Sequence, residues 1–383
     1  MKGSYWQRGK KWYVKVDIGR DPKTGKRRQK KKGGFNTKRE AQQYVANLLS
    51  SLEKGVYVER NETTFKDFAE QWLKGYSKTV KISTIRIRKH EIERLKQVID
   101  NIPIQKITYQ MYQDAIDELS TRYSNRSVKG MHVTARMIFK KAKQLDLIYK
   151  DPTEYAVLPQ NKNEIKKEVP HFLEKEQLGH FLTVAKQQGL DMDYVLFTTL
   201  AYSGMRLGEA MALQRNDLDF THHYIHVRKT LYMPNNNMRQ YQLLPPKSEN
   251  SSRSIKMDKR IMKLIKWHLK EQSEWVLESD DYHNKGFVFA NSKGYPKAPR
   301  HVGDRFKRLL RLANLDQSLG IHSLRHTHVS LLVESGVGIK EVMERLGHAD
   351  MHTTLKIYSH LTKDMEQKTA QQFSELLDSY HEM

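Results

Sequence analysis

Two stretches of this chain carry no hydrophobic period, Gly55 to Glu62 and Asn161 to Glu168, and they constrain the fold more than any single residue. They divide 383 residues into three blocks, and a chain of this length is too long for one ordinary core. The first block alternates. Trp12, Val14, Val16 and Ile18 fall on one face, and Tyr13, Lys15 and Asp17 on the other, as in a half-buried strand. Asp21 to Lys26 reads as a turn, Arg27 to Lys32 as a returning strand dominated by cations, and Ser4 to Arg8 as a third strand. Thr37 and Glu40 have capping-box spacing, opening a helix with Ala41, Tyr44, Val45, Leu48, Leu49 and Leu52 on one face.

The middle block has the helical period throughout. Phe65, Phe68, Ala69, Trp72 and Leu73 form one stripe; Thr84 is the expected cap of a second helix carrying Ile85, Ile92, Leu95 and Ile99. Further helices are expected near Tyr109–Leu119 and Ser127–Leu145, and Asp151-Pro152 ends the block. In the third block, Leu173 to Glu176 opens a helix, and the apolar run Tyr194 to Tyr202 reads as a buried one. Asp219 to Arg228 alternates as a strand, Tyr241 to Leu244 resumes one, and a polar hairpin from Pro245 leads back to another.

Charge narrows the partner. Lys plus Arg outnumber Asp plus Glu by 67 to 44, for a net charge of +23, and the first sixty residues hold 17 of the cations against 5 acids. Such a balance points to a polyanion, with nucleic acid ahead of an anionic membrane surface. No apolar run approaches the roughly 18 residues of a spanning helix, and the start of the chain lacks the apolar core of a signal peptide. The absence of Cys removes disulfides, thiolate metal sites and Cys nucleophiles together. A cytoplasmic protein is expected. A small sheet backed by one helix leaves its other face for the major groove, which makes Tyr13, Lys15, Arg28 and Lys30 candidate DNA contacts. A basic edge that serves only solubility is the plainer alternative. The last helix of the middle block adds Lys129, Arg136 and Lys140 on its exposed face.

The chemistry concentrates between Ile321 and Tyr358, which hold His322, Arg325, His326, His348 and Tyr358 with two helical patterns between them. Arg and His grip and protonate phosphate oxygens, and Tyr can form a covalent intermediate. Upstream, Arg206 stands in Gly-Met-Arg-Leu-Gly-Glu, with glycines on both sides and Glu209 one turn on, where it could hold the guanidinium. A surface ion pair would have the same spacing. Lys247 would project from the polar hairpin. Gly336-Val-Gly338 breaks the two helices, and Gly347 caps the second.

This ordered set resembles the tyrosine recombinase (phage integrase) family. Arg206 matches its first arginine, His322 and Arg325 its His-x-x-Arg box, His348 and Tyr358 its closing motif, and Lys247 its hairpin lysine; Glu209 matches the acidic residue after the first arginine. The resemblance runs from about Val169 to the end. The middle block looks like the family's core-binding domain, and the first sixty residues resemble the arm-binding module of integrases from conjugative transposons and temperate phages. It implies a multidomain α+β chain: residues 1–56, a three-stranded sheet and a helix; residues 63–160, all-α; residues 169–383, a mainly α catalytic domain with a small antiparallel sheet and a tail helix. It also implies strand cutting and rejoining at core-type and arm-type attachment sites without metal, cofactor or ATP. Tyr358 would be the nucleophile, Arg206, Arg325 and His348 the phosphate clamp, Lys247 the leaving-group acid and His322 the base. A homotetramer on DNA, an excisionase and a host DNA-bending protein are the implied partners, at the nucleoid of a bacterial host.

Four other readings compete. A nicking relaxase would also use a Tyr but needs a compact His pair for metal. A metal-dependent nuclease would use His322, His326, His328, His348 and His352, though no carboxylate constellation accompanies them. A type IB topoisomerase would share the chemistry but not the basic first block. A helix-turn-helix regulator would explain the last two helices and would need neither Arg206, Lys247 nor Tyr358.

Overall fold

The computed structural model describes residues 3–20, 24–53, 62–159, 172–246, 251–278 and 281–347. Lys247, His348, Tyr358, His352 and the expected tail helix over Met365–Leu377 lie outside the described residues. The chain divides near residue 165 into two units.

The alternating first block forms the antiparallel sheet β1 (Gly3–Arg8), β2 (Lys11–Arg20) and β3 (Arg27–Phe35), in that order, followed by α1 (Lys38–Glu53). Val14 and Val16 meet Ala41, Val45 and Leu48 in a small closed core. The expected capping box is present but offset by one residue. Thr37 Oγ1 accepts from Glu40 N at 3.2 Å, while the Glu40 carboxylate reaches Asn36 N at 2.9 Å rather than Thr37 N. Cross-strand partners share a face, and that rule splits the cations. Lys15 lies opposite Lys31, and Trp6 opposite Tyr13, on the face away from α1. Lys30 lies opposite Val16, on the α1 side. The single cationic face expected from composition is therefore two half-faces. Arg28 falls where the register is irregular, between the Asp17 and Arg20 pairs, and is exposed.

The helical block comprises α2 (Phe65–Tyr76), α3 (Ile82–Ile99), α4 (Tyr109–Arg122) and α5 (Asn125–Gln144). Its core includes Phe65, Phe68, Ile92, Leu95, Tyr112 and Phe139. Thr64 and Thr108 cap α2 and α4 with their hydroxyls. Thr84 does not cap α3. The helix starts three residues earlier, with Lys81 at the cap and no side-chain bond there. Nor does the block end at Asp151-Pro152. Gln113 accepts from Val157 N at 2.9 Å and donates to Val157 O at 3.0 Å, and Ala156 and Leu158 pack on the core. Lys129, Arg136 and Lys140 all stand exposed on α5.

In the second unit, α6 (Lys175–Gln188) leads to α7 (Asp193–Ser203), in which residues 195–201 are all buried. Such a helix must be surrounded. Phe197 of α7 meets Phe181 of α6 and Phe306 of a later helix at ring separations of 5.7 and 5.6 Å. Each buried ring is worth about 1.5–3 kcal/mol. A short helix α8 (Leu207–Met211) follows, then β4 (Leu218–Asp219), β5 (Tyr224–Val227), β6 (Thr230–Tyr232), β7 (Gln242–Leu244) and β8 (Arg253–Lys256). Helices α9 (Lys259–Glu278), α10 (Pro299–Leu312), α11 (Ser323–Glu334) and α12 (Ile339–Leu346) complete the described residues. The strand expected over Asp219 to Arg228 is in fact a tight hairpin. Asp219 Oδ1 accepts from Thr221 N and His222 N, and His223 takes φ 59°, so β4 folds back on β5. The strands flanking Lys247 also part company: β7 pairs with β6, whereas β8 joins β4 and β5 in a separate sheet.

Candidate active site

Helix α7 ends at Gly204, in the left-handed region at φ 65°, where a β-carbon would lie 2.5 Å from the His328 ring. Only glycine fits there. The turn delivers Arg206 to the start of α8, and Glu209 faces back one turn later. Glu209 Oε1 accepts from Arg206 Nη1 at 2.7 Å, and Oε2 accepts from Arg206 N at 3.0 Å. Glu209 is only 4% exposed against 35% for Arg206, so the pair is no mere surface bridge.

A third residue joins them. Arg253, at the start of β8, donates from Nη2 to Glu209 Oε2 at 2.9 Å, from Nε to Arg345 O at 2.8 Å, and from Nη1 to Ser251 O at 3.1 Å. Its side chain is 6% exposed. Burial works to raise the Glu209 carboxyl and is outweighed by Arg253 and then Arg206, which hold it below the usual carboxylate range.

From α11, Arg325 reaches the same place. Nη1 donates to Gly204 O at 2.6 Å and Nη2 to Leu346 O at 2.9 Å. Arg325 Nε is buried and has no hydrogen-bond partner among the described residues. Burial, followed by the Arg206 charge, lowers the Arg325 guanidinium to about 9, so it stays charged at pH 7. His322 stands at the solvent edge at the start of α11. The protein packed around it, then Arg325 and Arg206, hold its imidazole below the ordinary value, so the ring is neutral at pH 7 and can accept a proton. Its ring meets that of His326 edge-on at 4.8 Å.

The end of α12 is the common anchor. Its carbonyls at Arg345 and Leu346 accept from Arg253 and Arg325, as suits the negative end of a helix, and Gly347 closes it at φ 64°. The Arg345 side chain adds bonds to Tyr202 O, Lys256 O and His328 Nε2. The structure thus gathers Arg206 and Glu209 from the start of α8 and His322 and Arg325 from the start of α11. Arg253 and Arg345 had no signal in the sequence beyond their type, and His328 was singled out there only as a possible metal ligand. Such an array of cations around one carboxylate can bind a tetrahedral oxyanion. His328 has both ring nitrogens engaged, by Ala201 O and Arg345, which takes it out of the proposed metal set. Among the described residues no three His, Cys, Asp or Glu side chains group as metal ligands.

A family model described as the phage integrase family matches residues 171–365, more than half the chain. The chain belongs to this family. An arm DNA-binding domain matches residues 4–52, and the N-terminal SAM-like domain of phage integrases matches residues 64–120. The integrase of Staphylococcus phage L54a is 27% identical over 338 residues, covering 82% of this chain and 93% of that one. The Tn1549 transposon integrase, solved in complex with transposon right end DNA, superposes with a TM-score of 0.68 at 21% identity, covering 82% of this chain and 100% of that one. A lambda integrase tetramer bound to a Holliday junction gives 0.58 at 16% identity, over 90% and 92% of the two chains. The protein is a site-specific integrase of the tyrosine recombinase kind, an enzyme that cuts and rejoins DNA, and the regulator reading is not favoured. Among the described residues no helix is long and apolar enough to cross a membrane.

Proposed function

We propose that this integrase breaks DNA through a 3′-phosphotyrosine on Tyr358, integrating and excising a prophage or conjugative element. Tyr358 Oη attacks the scissile phosphorus and the bond to the 5′-oxygen breaks. His322 takes the tyrosine proton, and Lys247 supplies one to the leaving 5′-hydroxyl. Arg206, Arg325 and His348 neutralise the nonbridging oxygens, with Glu209 orienting Arg206. The partner strand's 5′-hydroxyl reverses the step, so the ester conserves the bond energy and neither metal, cofactor nor ATP is consumed.

The observation that carries this reading is that Glu209 holds Arg206 just after the Gly204 turn while the Gly204 and Leu346 carbonyls hold Arg325, the two cations near enough for Arg206 to lower the Arg325 guanidinium. We divide the chain into an arm-binding domain (1–56), a core-binding domain (63–160) and a catalytic domain with a tail helix (169–383). Tyr13 and Lys15, with Arg28 and Lys30, contact arm-type DNA; Lys129, Arg136 and Lys140 contact core-type DNA. The working assembly is a homotetramer on two duplexes, aided by an excisionase and a host bending protein, in the bacterial cytoplasm at the nucleoid.

A nicked duplex carrying candidate attachment DNA, incubated in EDTA with wild type and Tyr358→Phe, tests the mechanism on a denaturing gel. Wild type forms a protein–DNA adduct; Tyr358→Phe binds the duplex and forms none. An adduct with Tyr358→Phe removes Tyr358 from the role, and cleavage only after metal is restored favours the histidine nuclease.

A further inference from the structure

Glu209 is one carboxylate shared by two guanidiniums. Arg206 is partly open to solvent, whereas Arg253 is sealed, with its fork committed to Glu209 Oε2, Arg345 O and Ser251 O. A side chain so enclosed acts through its neighbours. Without Arg253, Glu209 keeps its burial and its negative charge, and Arg206 becomes its sole counter-ion. The Arg206 charge is then spent inside the protein instead of on an incoming phosphate. With Arg253 in place, the trio keeps a net positive charge, and the exposed member is the one positioned to use it.

We propose that Arg253 is a positioning residue for the recombination reaction: it holds and neutralises Glu209 so that Arg206 keeps its charge and aim for the scissile phosphate. Its bond to the Arg345 carbonyl ties β8 to the end of α12, the helix that leads to His348. Arg253 lies six residues beyond Lys247 in the sequence. The lowered Glu209 carboxyl agrees with this arrangement, since Arg253 stands ahead of Arg206 among the charges that lower it.

The inference rests on the phosphotyrosine reading, and its test is arranged to separate the two. Full-length wild type, Arg253→Met, Arg253→Lys and the double variant Arg253→Met/Glu209→Gln are compared for single-turnover adduct formation on the nicked duplex. Half-saturating DNA concentration and melting temperature are measured alongside. Arg253→Met slows adduct formation at saturating DNA by about tenfold or more, while the half-saturating concentration moves by less than about threefold. Arg253→Lys, which retains the charge, recovers most of the rate. The double variant also recovers part of it, because a Gln amide oxygen still accepts from Arg206 without neutralising it. A purely structural role would lower the melting temperature and would gain nothing from Glu209→Gln. A wild-type rate in Arg253→Met, or no recovery in either the Lys or the double variant, overturns the inference. If Arg253→Met does not fold, Arg253→Lys decides, and a rate at least about tenfold below wild type in the folded Lys variant overturns the charge argument. A wild type that forms no adduct overturns the Tyr358 reading, and this inference with it.

Discussion

His328 shows how one buried side chain is committed by its two neighbours. A carbonyl can only accept, so Nδ1, 2.8 Å from Ala201 O, carries the proton, and Nε2 accepts from Arg345 Nε at 3.1 Å. Burial first, and then the Arg345 charge, push its pKa down to about 4. The unfolded chain titrates near the ordinary value of about 6.5. The neutral ring therefore stabilises the fold above that value, and the contribution is lost as pH falls towards 4. His328→Gln keeps a donor and an acceptor but does not titrate. Its deficit in denaturant stability at pH 7 should shrink at pH 5 by about 2 kcal/mol. An equal deficit at both pH values would mean that His328 is not the titrating group. The sequence placed His328 among possible metal ligands, since spacing cannot tell which lone pairs are already taken.

At the scale of elements, α12 is a helix of eight residues, too short to persist by its own propensity. Val342 and Leu346 bury one face against Val329 and Val333, and three arginines fasten its end. Arg345 alone bonds three other elements, α7, β8 and α11. Arg345→Met should therefore speed amide exchange over residues 339–346 by about tenfold or more and leave α7 protected. Equal acceleration in α7 would show that the whole unit had loosened instead. The helices themselves were legible from their apolar period and from Gly347, as were α2, α5 and α7. The hairpin at Asp219 was not, because its alternating residues also satisfy a strand. What breaks it is one carboxylate that caps a turn and a histidine at positive φ, and neither departs from the two-residue period.

For the molecule as a whole, each block closes its own core: Val14 with Val45, Phe65 with Phe139, and Phe181 with Phe197 and Phe306. The first sixty residues carry a net charge of +12, from 17 basic and 5 acidic residues, without belonging to the candidate active site. Deleting them should lower the slope of log affinity against log salt for long attachment DNA, by about 0.9 for each phosphate no longer neutralised. Adduct formation on a short nicked core duplex should continue. An unchanged salt slope would return the basic block to a role in solubility. The register already divides that charge, with Lys15 and Lys31 on the outer face beside Trp6 and Tyr13, and Lys30 on the helix side.

The two aperiodic stretches, the type of most elements and the candidates Arg206, Glu209, His322 and Arg325 could all be read from the chain. All of these are local: a period, a cap or a short motif is written in neighbouring residues. It took the folded chain to show that Glu209 is shared, that Arg253 and Arg325 bind the end of α12, and that Lys30 turns away from Lys15. Those outcomes depend on which carbonyl or carboxylate a long, multivalent side chain finds across the fold. A guanidinium reads the same in the sequence whether it ends in solvent or on a buried acid.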